Sequence, residues 1–390
     1  MQLRRRGTVI SPRQWPALLL AVLVAACGDA ASSTTDDGPG GFGGQGGSGE
    51  GGSGEGGAGG SPAVVSPLPW PLAAFPELPE IMNDVPEARI ELGHLLFFDP
   101  VLSIDRETAC ITCHSERWGM GDGLPRAVGH GAGLLAGPGR QGPNPLRRNS
   151  PSLYNLAFRP SLLWDGDART LEEQALIPIF AKDEMSADPD TIVTELAGIP
   201  EYVERFAVAF PEDPGVSIEN LASALAAYQR TFISNRSTYD VYVEDRPGVM
   251  TDDQLEGMFR FAEMGCDSCH TPPLFESETF ANRNVPEVEG IVDHGLEERT
   301  GREEDRGKFR AVTLRNLRST EPYFHNGSFL KIGDAIRHEI EQTGLPFTDE
   351  DVRLITVFVD KTLRDERLEA IRPVSVPSGL PLPIDPPGSR

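Results

Sequence analysis

Two short segments carry the clearest chemistry in the 390-residue chain, CITCH and CDSCH. Each reads Cys-x-x-Cys-His: Cys110, Cys113 and His114 in the first, Cys266, Cys269 and His270 in the second. This is the spacing of c-type haem attachment. The two thiols add across the haem vinyl groups, and the adjacent histidine reaches the iron as its fifth ligand. The chain has five cysteines, and four of them lie in these motifs. A zinc site or a pair of redox dithiols is the competing reading. Recurrence of the whole pattern favours two covalent c-type haems.

The elements around the motifs read mostly as helices. Thr251 with Gln254 makes a capping box, and Leu255, Met258, Phe259 and Ala262 follow at helical spacing, leading directly into CDSCH. Asp188 and Asp190 flank a second start, with Ile192, Val193 and Leu196 apolar. Ser217 can cap a helix in which Ile218, Leu221, Leu225 and Tyr228 share a face. Thr348 can cap another, with Val352, Ile355 and Val359 inward. Gly- and Pro-rich connections cover 119–151 and 281–308, and loops of such length are often functional. The expected fold class is all-α: two cytochrome c-like haem domains packed together, with few or no strands.

The ends point to export. Arg4, Arg5 and Arg6 precede an apolar run over residues 16–26, too short to span a membrane and suited to a signal peptide. The run ends at Val24-Ala25-Ala26-Cys27, which looks like a bacterial lipobox. Cys27 would then carry lipid, plain cleavage with a spare cysteine being the alternative. The expected organisation is a lipoprotein signal peptide over 1–26 and a Gly/Ser-rich tether over 27–66 that cannot bury enough apolar surface to fold. An N-terminal haem domain over 67–238 and a C-terminal haem domain over 239–370 follow. A Pro-rich tail over 371–390 should be extended and outside the globular body. This places the protein in a bacterial cell envelope, facing the periplasm and touching the membrane only through its lipid. A formal net charge of −24 makes nucleic acid a poor partner. It would steer a basic redox partner toward the body, or serve solubility alone.

Four further blocks resemble the bacterial di-haem cytochrome c peroxidase and MauG family: LGHLLFFDPVLS (92–103), NSPSLYNLAF (149–158), LWDGDARTLEEQALIP (163–178) and LRNLRSTEPYFHNGS (314–328). With the haem motifs they cover roughly residues 70–365 in the family's order. The resemblance implies an oxidoreductase that reduces hydrogen peroxide at haem 1, with electrons passed through haem 2 from a small cytochrome or cupredoxin. The alternative is a MauG-type enzyme, which uses peroxide and a high-valent di-haem state to oxidise residues of a partner protein. A pure electron-transfer cytochrome is the third possibility. A homodimer is left open.

The same resemblance implies roles for particular residues. His114 and His270 are the proximal ligands. Glu184, ten residues past Gln174, matches the catalytic glutamate, and Gln174 matches the residue that orients peroxide. Trp164 matches a tryptophan between the haems that carries electrons or holes. His130, 16 residues after His114, is either a cap that leaves haem 1 on activation or a plain loop histidine. At haem 2 the chain departs from the family. Where the peroxidases have methionine and MauG has tyrosine, it has Glu339, with His338 beside it. Glu339, His338 or neither supplies the second axial ligand there. Asn149, Thr320 and Pro322 fall where the family binds one calcium, through an amide oxygen and two backbone carbonyls.

Overall fold

Short polar side chains start the helices where the sequence places them. In the computed structural model Thr251 Oγ1 accepts from Gln254 N–H while Gln254 Oε1 accepts from Thr251 N–H. Asp188, Ser217 and Thr348 each accept from a backbone N–H three residues on. The structure describes residues 69–386, apart from 72–73, 78, 80–84, 245–247, 289 and 369–370. Cys27, the export signal and most of the tether lie outside the described residues.

Eleven α-helices are present among them: α1 (Glu87–Phe98), α2 (Cys110–Cys113), α3 (Leu171–Phe180), α4 (Pro189–Ala197), α5 (Pro200–Ala209), α6 (Ile218–Gln229), α7 (Thr238–Val243), α8 (Asp252–Glu263), α9 (Glu297–Thr300), α10 (Ile332–Glu341) and α11 (Asp349–Val357). The strands β1 (Phe280–Ala281) and β2 (Phe309–Arg310) pair antiparallel, two residues each. The fold is helix-dominated, as expected. No described helix is long and apolar enough to cross a membrane.

The described residues form one compact unit. Its apolar side chains gather into two clusters. The first is built on α1, α3, α5 and α6 and includes Leu92, Leu96, Phe97, Tyr202, Phe206 and Leu225. The second is built on α8, α10 and α11 and includes Met258, Phe261, Ile340, Ile355 and Phe358. A glycine sits at the crossing in each. A Cβ on Gly93 of α1 would meet the Ala224 carbonyl of α6, and one on Gly257 of α8 would meet the Leu354 carbonyl of α11. Both positions therefore let two helix backbones touch.

The chain ends cross over between the clusters. Trp70 lies ahead of α1 but packs in the second cluster, with its Nε1–H bonded to Tyr239 Oη at 3.1 Å. The tail crosses the other way, which corrects the expectation that it stands outside the globular body. Val376 is buried in the first cluster, with Leu380 and Leu382 packed against it. Arg372 pairs with Glu116 at 2.8 Å, and Ser378 Oγ donates to Asp99 Oδ1 at 2.6 Å. The tail keeps its extended backbone, as its prolines dictate. The apolar residues between those prolines anchor it, a signal that composition alone does not register.

Substituting alanine at Gly93 or Gly257 should force the paired helices apart. The overpacking penalty of about 1–3 kcal/mol should exceed the roughly 1 kcal/mol that alanine returns in helix propensity. Denaturant titration of each variant checks this, and unchanged midpoints would refute the close crossings.

Candidate haem and peroxide site

The first motif sits on the short helix α2. Thr112 Oγ1 accepts from Ala109 N–H at 3.0 Å and steadies the start of that turn. His114 Nδ1 donates to Met120 O at 2.9 Å. In the second motif His270 Nδ1 donates to Phe275 O at 3.3 Å. A carbonyl can only accept, so Nδ1 carries the proton in both rings. Burial also pushes both imidazoles toward the neutral form. Each ring is thereby left with an Nε2 lone pair, the arrangement a metal-binding histidine needs. None of the four motif cysteines is in a disulfide, so all four thiols are available for thioether bonds.

Around the first motif Cys110, Cys113, His114, Gln174 and Glu184 line one narrow crevice, walled by Phe97, Leu153, Met185 and Leu225. The two polar residues arrive by a single device. Thr170 caps α3, accepting from Glu173 N–H at 3.1 Å, and Gln174 lies on the buried face of that helix. The segment after α3 then folds back along it: Met185 N–H donates to Pro178 O at 3.1 Å, and Ala187 N–H to Ile179 O at 2.9 Å. That return brings Glu184 to the crevice beside Gln174. Burial pushes the Glu184 carboxyl up to about 7, with a smaller contribution from Asp183. Gln174 Oε1 is buried with no hydrogen-bond partner. A buried acceptor without a donor is costly unless a ligand supplies one.

His130 comes near but does not line this crevice. Its Nε2 lies 3.2 Å from Lys182 O and 3.1 Å from Asn144 Nδ2. Its backbone N–H donates to Glu184 O at 2.7 Å. Asp122 was not singled out from the sequence. It is buried, accepts from Leu124 N–H at 3.0 Å, and burial pushes it to about 7.

The second motif opens on a cavity of about 710 Å³, within the range of ordinary cofactor pockets. Cys266, Cys269, His270, Trp164, Phe309, His325 and Glu339 are among its lining residues. Two buried arginines, Arg159 and Arg310, also line it. Arg159 Nε stands 2.6 Å from Glu276 Oε2, a close ion pair off the angle of a hydrogen bond. Arg310 Nε is buried with no partner. Two buried guanidinium groups thus face an apolar cavity around one buried carboxylate. That is an environment for an acid-bearing apolar ring. The donor set fits haem at both motifs, and the space fits it at the second. The crevice at the first is about 50 Å³, against roughly 300 Å³ or more for ordinary pockets, so a ring there requires its apolar walls to part.

Trp164 is buried on the wall of the large cavity. Its Nε1–H donates to Asn149 O at 2.9 Å, and it meets His325 edge-on at 6.4 Å between centroids. His325 stacks on Phe309 at 3.6 Å, and burial lowers its pKa to about 4. The structure brings Glu339 to the cavity and not His338. Arg283 Nε donates to Glu339 Oε2 at 2.7 Å, while His338 turns against Phe324 and Phe329 and donates to Arg283 O at 2.8 Å. Met264 also lines the cavity, just ahead of Cys266. Asn149 Nδ2 donates to Leu124 O at 2.7 Å, leaving its Oδ1 available, and Thr320 lies on the same wall. No cluster of three or more His, Cys, Asp or Glu suited to a metal ion occurs among the described residues; an amide-and-carbonyl site is of another kind.

Comparison with known proteins agrees with this chemistry. The family model for di-haem cytochrome c peroxidases matches residues 87–247. The cytochrome c551 peroxidase of Pseudomonas aeruginosa is 34% identical over 299 residues, covering 74% of this chain and 83% of that protein. The methylamine utilization protein MauG of Methylorubrum extorquens is 31% identical, covering 66% of this chain and 70% of its own. Among solved structures, a MauG-like protein associated with microbial copper homeostasis superposes with a TM-score of 0.62 at 26% identity, covering 78% of this chain and 95% of that one.

Replacing Cys110 and Cys113 together by alanine should lower covalently bound haem from two per chain to one, as should replacing Cys266 and Cys269. Pyridine haemochrome assay and intact mass check this. Retention of two pigments in either variant would refute the assignment.

Proposed function

The chain belongs to the di-haem cytochrome c peroxidase family and is a di-haem peroxidase-type oxidoreductase; we propose that it reduces hydrogen peroxide at the first motif, with Glu184 as the acid–base group. The observation that carries this is the convergence of Glu184 and Gln174 on the crevice that holds Cys110, Cys113 and His114. Bound haem supplies the redox-active iron through which two electrons reach the peroxide. The chain supplies the proton handling. Glu184 takes the proton from one peroxide oxygen and returns it to the other. The O–O bond then breaks with water, rather than hydroxide, departing. Gln174 Oε1 accepts from the second peroxide O–H and holds the molecule in line. With two electrons and two further protons the products are two waters. Raising the carboxyl to about 7 equips one group for both halves of this transfer near neutral pH.

Electrons enter, in this reading, from a small cytochrome or cupredoxin at the C-terminal half and pass by Trp164. The net charge of −24 favours a basic donor. Residues 67–238 and 239–370 are proposed as the two haem domains, supported by their separate apolar clusters. Asn149, Thr320 and Pro322 oxygens are proposed to hold a calcium, and Cys27 a lipid that keeps the protein at a periplasm-facing membrane surface. One observation favours the MauG-type alternative, oxidation of a partner protein's residues. Glu339 lines the second cavity where a thioether would raise the potential. A carboxylate favours the oxidised metal instead.

Glu184→Gln should lower kcat/KM for peroxide by roughly 10²–10⁴-fold with the visible spectrum unchanged. Glu184 must be a carboxylate to accept the first proton, so the wild-type rate should fall as pH drops through about 7. Asp122, also pushed to about 7, can produce such a limb as well. The limb should persist in Asp122→Asn and vanish in Glu184→Gln; stopped-flow rates against pH decide it, and the reverse pattern would overturn the assignment.

A further inference from the structure

Arg140 lies in the connection 119–151, is 3% exposed, and uses its guanidinium fully. Nε donates to Val128 O at 2.9 Å, Nη1 to Gly133 O at 2.6 Å and Leu135 O at 2.8 Å, and Nη2 to Gly129 O at 2.9 Å and Thr108 Oγ1 at 3.0 Å. Every acceptor is neutral. A buried cation with no hydrogen-bonded carboxylate is an expensive way to hold a loop. Its planar fork of donors does what lysine's compact ammonium cannot: it gathers four carbonyls of residues 128–135 about one plane. The bond to Thr108 ties that gathered segment to the chain two residues ahead of Cys110.

The opposite side of the segment is anchored separately. Asp105 Oδ2 accepts from Gly131 N–H at 2.7 Å, while its Oδ1 accepts from Glu107 and Thr108 N–H at 3.0 Å each. Held from both sides, the segment presses its backbone on the residues that carry the acid. His130 N–H donates to Glu184 O at 2.7 Å. At Gly129 the contact is so close that a Cβ would collide with the Asp183 carbonyl. Glu184 itself is otherwise carried by a short return after α3, with Glu184 N–H bonded to Ala181 O at 3.1 Å.

We propose that Arg140 is a positioning residue for Glu184: it holds residues 128–135 in the one shape whose backbone grips 182–184 and so fixes the carboxyl at the crevice. The proposal rests on Glu184 being the acid–base group. It also gives Gly129 a purpose, since only a residue without a Cβ lets its backbone lie so close to the Asp183 carbonyl. Arg140 does not itself line the crevice; its bonds reach two residues that do, Thr108 and Gly129, and through Gly129 it holds the segment that meets Glu184.

Two measurements on the two-haem holoprotein test this. In the wild type, hydrogen exchange should find the His130 and Gly131 amides protected at least roughly tenfold beyond freely exposed glycine-rich backbone. Fast exchange of both would overturn the proposal without any variant. Arg140→Lys and Arg140→Met should speed those amides and lower kcat for peroxide by about 10²-fold, the scale expected of a small misplacement of a catalytic group, with haem content intact. In a Glu184→Gln background the same substitution should cost less than about threefold, because its target is gone. An equal loss in both backgrounds would show that Arg140 acts elsewhere and would sink the proposal. If Glu184→Gln alone leaves turnover intact, the acid–base assignment fails instead, and the amide exchange still reports whether Arg140 grips the segment.

Discussion

A carboxyl dry enough to keep its proton near neutral pH, yet fixed by backbone contacts rather than by a cation, governs the first site. Moving Glu184 from the ordinary carboxylate range to about 7 corresponds to a preference for the neutral form on the order of 3 kcal/mol. A nearby arginine would cancel that preference. Arg140, buried beneath the adjoining segment, has its donors spent on carbonyls and a threonine hydroxyl, leaving none for Glu184. The acidity of this group is therefore set by packing, and packing depends on the fold-back after α3 and on the segment 128–135. The second cavity is built on the opposite rule. Arg159, Arg310 and Arg283 stand on its wall, and Glu339, which also lines it, is held by a guanidinium. One motif faces a proton donor and the other a set of fixed charges, a division of labour that suits proton chemistry at one and electron storage at the other.

The body supports this by refusing to separate its halves. Helix pairs crossing at Gly93 and Gly257 build two apolar clusters of the same kind. Trp70 and the 371–386 tail each cross to the cluster remote from their own place in sequence. Relative motion of the halves would break Trp70 from Phe261, Phe275 and Phe358, and would pull Val376 from its site. Trp164, with its ring on the large cavity and its N–H on Asn149, sits in a frame held from both ends.

Much of this was legible in the residues, and what was not has physical reasons. Cys-x-x-Cys-His is read directly because thioether and axial-ligand geometry permit little else. Helix starts were legible at Thr251, Ser217 and Thr348, since capping is a local hydrogen bond between residues three apart. Glu184 and Gln174 were found only through resemblance to a family; nothing local distinguishes that glutamate from its acidic neighbours. The choice between Glu339 and His338 depended on which way α10 faces, which adjacent residues cannot reveal. The docking of the tail, the pairing of Trp70 with Tyr239 and the cage around Arg140 are long-range contacts without a sequence signature. Composition even argued the wrong way for the tail, because prolines prevent helix but do not prevent burial of the valine and leucines between them.

The first site depends on Glu184 being a buried carboxylic acid that titrates near neutrality. Infrared difference spectroscopy of the holoprotein across pH 5 to 9 tests this directly through the carbonyl band of protonated carboxyl groups. The expected result is a band that disappears as pH rises through about 7, part of which is missing in Glu184→Gln while the Asp122 share remains. A spectrum that Glu184→Gln leaves unaltered would contradict it.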